Sequence, residues 1–316
     1  MENLANIRTL QEAIVYFSDE MNCIKYVCKM RWPDGVVVCP NCGRTDVSWL
    51  EKQRKFQCKS RHSRRQFSVK VGTIFEDSPI DLSKWLMAAW MIVNCRNGIS
   101  SYEISRDIGI TQKSAWFMMH RLRLAMKDEY TEKMGGEGGT VEADETFVGG
   151  KPKNRHVGKR EGADKKVPVM GMYDRGTRQV RAAVIPNVRM EHTHGAVVKN
   201  VKRMTNVFTD GWTGYQNLSY AGFMHETVNH VNEYVRGQVH TNGIENFWSL
   251  FKRNLAGTYV AVEPFHLHRY LDEQTFRFNT CKSHNDDSRF RKVLSQVAGR
   301  RLTLAQVTGK VGGTRF

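Results

Sequence analysis

The sequence predicts a multidomain protein in which a small cysteine-containing module and a helical segment precede a mixed α/β domain. Five of the seven cysteines lie within the first 75 residues. The pattern from Pro79 to Lys127 then becomes that of amphipathic helices. After the glycine-rich break "MGGEGG", short valine-rich segments of alternating character predict strands. These changes in composition set the expected boundaries of the modules.

The chain carries an excess of positive charge, with 48 Lys and Arg against 32 Asp and Glu in 316 residues, a net charge of +16 and a pI near 9.6. Such a balance favours a polyanion as partner, because each neutralised phosphate releases condensed counterions. The longest apolar run, Trp85 to Val93, is much shorter than the roughly 20 residues that a spanning helix needs. The N-terminus also lacks a basic region followed by an apolar one. We therefore expect an intracellular protein that binds nucleic acid and no membrane.

Residues 1–78 are interpreted as a zinc-ribbon DNA-binding module. The motif "VCPNCG" places Cys39 and Cys42 around a tight turn, a spacing typical of zinc ligands. Cys58 and His62 follow within "FQCKSRH" and complete a candidate tetrahedral set of three sulfurs and one nitrogen. The alternative is that the thiols are ordinary half-buried groups and that the histidine is a surface residue.

Residues 79–133 are interpreted as a helix-turn-helix DNA-binding segment. Ser100, three residues before Glu103, predicts a capping box that starts a helix, and Gly109 ends it. Thr111 then caps a second helix, whose apolar residues face inward at helical spacing. The residues expected to point outward are Gln112, Lys113, Arg121 and Arg123, and we predict DNA contacts at Lys113 and Arg121. A plain helical hairpin with solvated charges is the alternative.

Residues 134–280 are interpreted as an α/β domain, and residues 281–316 as a basic C-terminal tail. Four segments read as strands: "TVEADETFVGG", "KVPVMGMYD", "QVRAAVIP" and "NVFTDGW". Helices are expected at about 244–255 and 264–279.

Two stretches rich in Lys and Arg are predicted to contact phosphates. Residues 52–70 hold eight Lys or Arg and no acid, and the long loop from Lys151 to Lys166 holds seven against two acids. The individual contacts predicted in them are Arg64, Arg65, Lys151 and Lys153.

Three acids stand where strands end or a helix begins. Asp144 ends "TVEAD", Asp210 ends "NVFTD" before a glycine, and Glu245 begins the helix "IENFWSLFKR". If the two strands are neighbours and the helix packs over them, the carboxylates converge, and such a cluster calls for divalent cations of the kind used to cut phosphodiesters. The alternatives are a turn residue, a solvated acid in "EADE", and an acid that favours the helix dipole.

The chain resembles the DDE transposases of bacterial insertion sequences, specifically the zinc-ribbon-bearing group related to the eukaryotic Merlin elements. The likeness covers residues 20 to 280 approximately. Its motifs are "CPNCG", "RRQFSVKVGTIFEDSPIDLSKWL", "VEADETFVGG", "VFTDGWTGY", "VHTNGIENFWSLFKR" and "HLHRYLDEQTFRFN".

The resemblance implies an RNase H-like catalytic domain with Asp144, Asp210 and Glu245 as catalytic triad and ligands of two Mg²⁺ or Mn²⁺ ions. Lys252, with Arg253 beside it, would contact DNA. The implied activity is that of a transposase, a polynucleotidyl transferase and endonuclease that binds the terminal inverted repeats, hydrolyses phosphodiesters at the element ends and joins the 3′-OH ends to target DNA. A homodimer or larger assembly on DNA, in a bacterial cytoplasm and associated with the nucleoid, is expected.

The chain departs from the family pattern at two places, and two other functions are alternatives to that of a transposase. Related sequences usually carry a second Cys-x-x-Cys where this chain has Cys58 alone, so zinc either takes His62 as its fourth ligand or is bound less well. Some relatives place asparagine or histidine instead of the third acid, and Asn242, Asn246 and His240 lie close to Glu245. Glu245 is the predicted third acid because it alone is followed by a lysine seven positions later. His240 is a candidate for a supporting or DNA-contacting role, and the alternative is a capping or surface histidine. The rivals are a DNA-binding protein whose nuclease fold has lost catalysis, and an RNase H-like structure-specific nuclease that cuts without joining.

Overall fold

The computed structural model describes residues 6–149, 166–228 and 237–309. These residues form two compact units, one made of the chain up to Lys127 together with the part from Thr280 onward, and the other running from Asp128 to Asn279. The predicted contacts Lys151 and Lys153 lie outside the described residues. Within the ranges given, none of the helices is both long and apolar enough to span a membrane.

The secondary-structure elements are numbered in chain order. The helices are α1 (Leu10–Phe17), α2 (Glu20–Arg31), α3 (Leu82–Asn94), α4 (Ser101–Ile108), α5 (Gln112–Met126), α6 (Met190–Asn200), α7 (Asn242–Asn254), α8 (Leu267–Thr280), α9 (Asp286–Ser295) and α10 (Leu304–Val307). The strands are β1 (Val47–Leu50), β2 (Lys55–Cys58), β3 (Gln66–Phe67), β4 (Thr140–Val148), β5 (Val167–Asp174), β6 (Gln179–Val184), β7 (Asn206–Asp210) and β8 (Met224–Val228).

The first unit contains a small antiparallel sheet in the order β1-β2-β3. Its apolar side is aromatic: the ring of Phe56 lies 5.6 Å from that of Phe67 and 4.8 Å from that of Trp49. The predicted capping box is present, because Ser100 accepts from the amide of Glu103 and the Glu103 carboxylate accepts from the amide of Ser100. Helix α4 ends at Gly109 with φ of +62°, a conformation that costs glycine little.

The C-terminal segment, which the sequence analysis expects to be a tail, belongs to this first unit. Asn285 caps α9 through the amide of Ser288, and α9 buries Phe290, Val293 and Leu294. The Phe290 ring lies 5.7 Å from the ring of Phe17 and 5.2 Å from that of Trp90, on α1 and α3. Burying one apolar face of α9 in this way is more favourable than exposing it, so the segment folds back onto the N-terminal helices.

Arg121 is buried, with 4% of its surface exposed, and the prediction that it contacts DNA is wrong. Its guanidinium donates to the carbonyl oxygens of Leu302 at 2.9 Å, Ile74 at 2.9 Å and Glu76 at 2.6 Å. A planar group with five N–H donors satisfies these carbonyls from two distant segments at once. Arg123, also expected to point outward, is 1% exposed. Lys113, in the first turn of α5, is exposed as predicted.

The second unit is built on a five-stranded sheet with the order β6-β5-β4-β7-β8. Strand β4 pairs antiparallel with β5 and parallel with β7, and β7 pairs parallel with β8. The four predicted strands are present, and β8 and α6 are additional elements that the sequence analysis did not identify.

Alternation along β4 and β5 separates two faces of this sheet. Val141 and Ala143 of β4 join Met170 and Met172 of β5 in one apolar cluster. Ile244, Phe247, Trp248 and Phe251 of α7 join Val169 of β5 in the cluster on the other face. Glu142 and Asp144 of β4 point toward the face that α7 covers, since both accept hydrogen bonds from α7.

We expect Arg121→Ala to lower the free energy of unfolding of the first unit by about 3 kcal/mol, because three buried carbonyl groups lose a charged donor. Lys113→Ala is the control, since the same helix carries this exposed side chain, and a change below about 0.5 kcal/mol is expected for it. Denaturant unfolding followed by circular dichroism measures both. An Arg121→Ala protein as stable as its parent would contradict the structural role.

Candidate functional site

The four predicted zinc ligands come together in the first unit. One donor atom from each of Cys39, Cys42, Cys58 and His62 lies within 4.8 Å of every other. The Sγ of Cys39 is 3.6 Å from Nε2 of His62, and the Sγ of Cys42 is 3.6 Å from that of Cys58. A tetrahedron with Zn–S bonds of about 2.3 Å has edges of about 3.8 Å, so these residues fit a structural zinc ion.

The turn between the first two cysteines explains this placement. The amide of Gly43 donates to the carbonyl of Cys39, and the amide of Cys39 donates to the carbonyl of Arg44. Gly43 has φ of +74°, which glycine adopts at little cost. Cys58 ends β2, so the sheet holds the third sulfur against the turn.

The second candidate site lies where β4 and β7 run side by side. Their parallel register pairs Thr140 with Asn206 and Glu142 with Phe208. Asp144 and Asp210 lie two residues beyond the last pair of this register. The charge of Asp210 acts on Asp144, so the two predicted acids lie near each other at this end of the strands.

The environment of these acids favours a cation. Burial, together with the charges of Asp210 and Glu145, raises the pKa of Asp144 to about 7. Burial also raises the pKa of Glu145, even though the hydroxyl of Tyr215 donates to that carboxylate. A divalent cation with oxygen ligands would relieve this repulsion, and the donor set of carboxylates is the one that Mg²⁺ and Mn²⁺ prefer. Asp144 and Asp210 could therefore hold such an ion, whereas the group of three or more converging ligand atoms found among the described residues is that of Cys39, Cys42, Cys58 and His62 and does not include Glu245.

A buried network fixes the start of α7. The carboxylate of Glu142, which is 1% exposed, accepts from the amide of Ile244 at 3.0 Å and from Nε of Arg175 at 2.7 Å. Arg175 also contacts Nδ1 of His240 at 2.7 Å and donates to the carbonyl of His240. An anion at this end of α7 satisfies a free amide and complements the helix dipole. His240 thus supports the chain that leads into α7, one of the two roles considered for it.

Glycine is required at the second position of α7. A Cβ on Gly243 would lie 2.3 Å from Cδ1 of Tyr173 and 2.9 Å from Oε2 of Glu142. The absence of a side chain lets the helix start approach both β4 and β5 closely enough for the Glu142 carboxylate to reach the amide of Ile244.

Glu245 lies in the first turn of α7 and is exposed to solvent. Its carboxylate accepts from the hydroxyl of Thr241 at 2.7 Å, so in this structure it is turned back toward the start of its own helix. The charges that raise the pKa of Asp144 come from Asp210 and Glu145. In the structure, Asp144 therefore lies near Asp210, whereas the carboxylate of Glu245, on α7, is directed toward Thr241.

The remaining predicted DNA contacts are on the surface. Lys252 and Arg253 are exposed in the last turn of α7, and Arg64 and Arg65 are exposed between β2 and β3. The seven residues from Glu245 to Lys252 complete two helical turns, so both project from the same side of α7.

Residues that the sequence analysis did not single out hold the acids in place. They are Glu142, Glu145, Gly171, Arg175 and Tyr215. The alternation of "VEADE" was the available signal, because it places Glu142 on the same strand face as Asp144. The partners of these acids come from distant parts of the chain, and no local pattern identifies them.

Comparison with known proteins gives the following matches. Residues 137–279 match the family model described as ISXO2-like transposase domain, and residues 18–63 match the transposase zinc-ribbon domain. A protein from Halobacterium salinarum, named uncharacterized protein in transposable element ISH50, is 28% identical over 262 residues, which are 76% of this chain and 84% of that protein. An uncharacterized transposase-like protein from Haemophilus influenzae is 31% identical over 104 residues, 33% of this chain and 84% of that protein.

We expect the purified chain to contain about one zinc ion, as for a closed four-ligand site. His62→Ala should lose zinc during dialysis against a chelator, whereas His62→Cys should keep it, because a fourth thiolate also completes a tetrahedral site. Elemental analysis and the thermal midpoint of unfolding measure the result.

A second test of the zinc site compares two exposed cysteines, one inside the cluster and one outside it as the control. Cys42 is part of the cluster, and Cys281 is a free cysteine outside it. Cys42→Ser should lose zinc and Cys281→Ser should keep it. Equal zinc content in the two variants would rule out the four-residue site.

Proposed function

This chain belongs to the family of ISXO2-like transposases, and we propose that it is a DNA transposase of an insertion sequence. It would bind the terminal inverted repeats, hydrolyse phosphodiesters at the element ends and transfer the 3′-OH ends into target DNA. The observation that carries the proposal is that β4 and β7, which bear Asp144 and Asp210, pair in parallel and that the charge of Asp210 acts on Asp144, in a chain with a net charge of +16.

The proposed catalytic residues are Asp144, Asp210 and Glu245, which would hold two Mg²⁺ or Mn²⁺ ions. When bound, such ions supply Lewis acidity to the nucleophile and to the leaving oxygen of a phosphodiester. Asp144 and Asp210 contribute fixed carboxylate oxygens, because the sheet and the packing above it restrain them. Glu245 would turn from Thr241 toward the two aspartates, a change confined to one exposed side chain.

The order of the sheet supports an RNase H-like domain. One antiparallel three-stranded part, β6-β5-β4, continues into the two parallel strands β7 and β8, and a helix covers the face toward which Asp144 points. In the proposal, acids from the central strand, from the next parallel strand and from the covering helix would converge at one region of the domain. The proposal of a two-metal phosphodiester site depends on that convergence.

The first unit is proposed to recognise the element ends. The exposed cations Arg64 and Arg65 of the zinc ribbon suit phosphate contacts. Helices α4 and α5, joined at Gly109, support a helix-turn-helix in which the exposed Lys113, in the first turn of α5, contacts the DNA backbone. Both element ends must be held together for joining, so a dimer or larger assembly on DNA is part of the proposal.

Cleavage and joining provide the direct test. Purified protein is incubated with a labelled duplex ending in the inverted repeat of its element, a target plasmid, and Mg²⁺, Mn²⁺ or EDTA. We expect metal-dependent nicked and joined products, and a loss on the order of 10³-fold or more for Asp210→Asn, which removes a charge at the reacting centre. Glu191→Gln, an exposed acid on α6, is the control and should leave the rate unchanged.

The other outcomes of this experiment would support one of the two alternative functions. Cleavage without joined products would identify a structure-specific nuclease. Salt-sensitive binding to the inverted repeat without cleavage under any of the metals would identify a DNA-binding protein that has lost catalysis.

DNA recognition by the first unit is tested separately. Lys113→Ala should weaken binding to the inverted repeat and reduce the slope of log affinity against log salt by about 1, the contribution of one phosphate contact. Lys25→Ala, an exposed lysine on α2, is the matched control. Fluorescence anisotropy across several salt concentrations measures both slopes, and identical slopes for the two variants would exclude Lys113 from the interface.

A further inference from the structure

Trp248 of α7 lies directly on the strand that pairs with the strand of Asp144. In the register of β4 and β5, Asp144 stands opposite Gly171. A Cβ on Gly171 would lie 2.5 Å from Cζ2 of Trp248 and 2.7 Å from Cδ1 of Ile244. Any larger residue at position 171 would displace the indole, so the missing side chain creates the space in which Trp248 packs.

The indole of Trp248 packs in that space and forms a hydrogen bond to a predicted catalytic acid. Its Nε1–H donates to Oδ2 of Asp144 at 3.0 Å. The Trp248 side chain is 4% exposed, and its ring packs at 5.1 Å from that of Phe247. An indole nitrogen is a donor only, so it can bind the carboxylate but cannot compete as a ligand for a cation.

The direction of this contact distinguishes Trp248 from an ordinary core residue. Burial of the ring alone requires only that Nε1 find some acceptor. The acceptor is Asp144, the acid on which the charge of Asp210 also acts. Glu142, on the same face of β4, is instead matched by the cation Arg175. Asp144 receives a neutral donor on one oxygen, which restrains the carboxylate without cancelling its charge.

We propose that Trp248 is a positioning residue for Asp144: its N–H fixes the carboxylate through Oδ2, so that this acid would be oriented to hold a divalent cation together with Asp210. Gly171 is the second part of this device, because it permits the indole to reach the acid. The inference rests on the proposed two-metal function. It adds that α7, which carries Glu245 and Lys252, also sets the geometry of the acid on the central strand.

Hydrogen bonds of this kind to metal-binding carboxylates contribute measurably to affinity, and their loss typically weakens metal binding by about 10- to 100-fold. Trp248→Phe keeps an aromatic ring between α7 and β5 and removes the donor. We therefore expect Mn²⁺ binding by the full-length protein to weaken by about 10- to 100-fold in this variant. Gly171→Ala, which displaces the indole, should have an effect in the same direction.

The chain offers a matched control in Trp85 on α3. Its side chain is 1% exposed and its Nε1 donates to Oγ of Ser78 at 3.1 Å, in the other unit. Trp85→Phe removes the same kind of buried hydrogen bond and should lower the thermal midpoint while leaving the dissociation constant for Mn²⁺ within about twofold of the parent. A general effect of losing a buried indole donor would appear in both variants.

Isothermal titration of the zinc-loaded protein with Mn²⁺ is the decisive measurement, with Asp210→Asn used to identify the relevant site. Weakened binding in Trp248→Phe but not in Trp85→Phe supports the positioning role. Unchanged binding in a folded Trp248→Phe protein overturns it while leaving the proposed function intact. Parent protein without any Asp210-dependent binding overturns both.

A second substitution covers the case in which Trp248→Phe does not fold. Site-specific β-(3-benzothienyl)alanine at position 248 keeps the shape of the indole and replaces N–H by sulfur. The same titration then applies, with the same expected weakening and the same contrary result.

Discussion

The parallel pairing of β4 with β7 is the contact on which the candidate active site depends. It places the strands that carry Asp144 and Asp210 next to each other, with Glu145 next in the chain, in a region where burial already disfavours charge. Like charges that are close together in a medium of reduced dielectric constant repel each other strongly. A fold that keeps them must either neutralise them by protonation or supply a cation, and the surrounding residues determine which of these is favoured.

The acids of β4 differ in their surroundings. Glu142 forms an ion pair with Arg175 and accepts a hydrogen bond from the amide of Ile244 at the start of α7. Glu145 is held by the hydroxyl of Tyr215, which follows Asp210 in the chain and ties that loop to β4. Asp144 accepts hydrogen bonds from the indole N–H of Trp248 and from the backbone amide of Glu145. Glu142 is thus paired with a cation, whereas both of these donors to Asp144 are neutral.

The spacing of residues along the chain predicted those features that depend on local sequence. The zinc ligands follow from one turn and one strand end, and Asp144 and Asp210 follow from their positions in alternating strands. Arg121 was misplaced because its carbonyl partners lie at positions 74, 76 and 302, and a helical pattern cannot reveal them. Helix α9 was not predicted because the segment is rich in charged residues, so its short apolar face and its asparagine cap did not stand out in the sequence. Helix α6 buries only Thr193 and Val197, too few to give a periodic signal.

Helix α7 carries the residues of the candidate site that do not lie on the sheet. Its start is fixed by Glu142 and by the close approach of Gly243, and its buried face carries Trp248 onto Gly171. In the proposed reaction the same helix presents Glu245 to the cations and Lys252 to DNA. A shift of α7 along its axis would change all of these contacts together, because one rigid element bears them. Under the proposed function, binding of DNA at the end of α7 and binding of cations at its start would therefore be mechanically coupled.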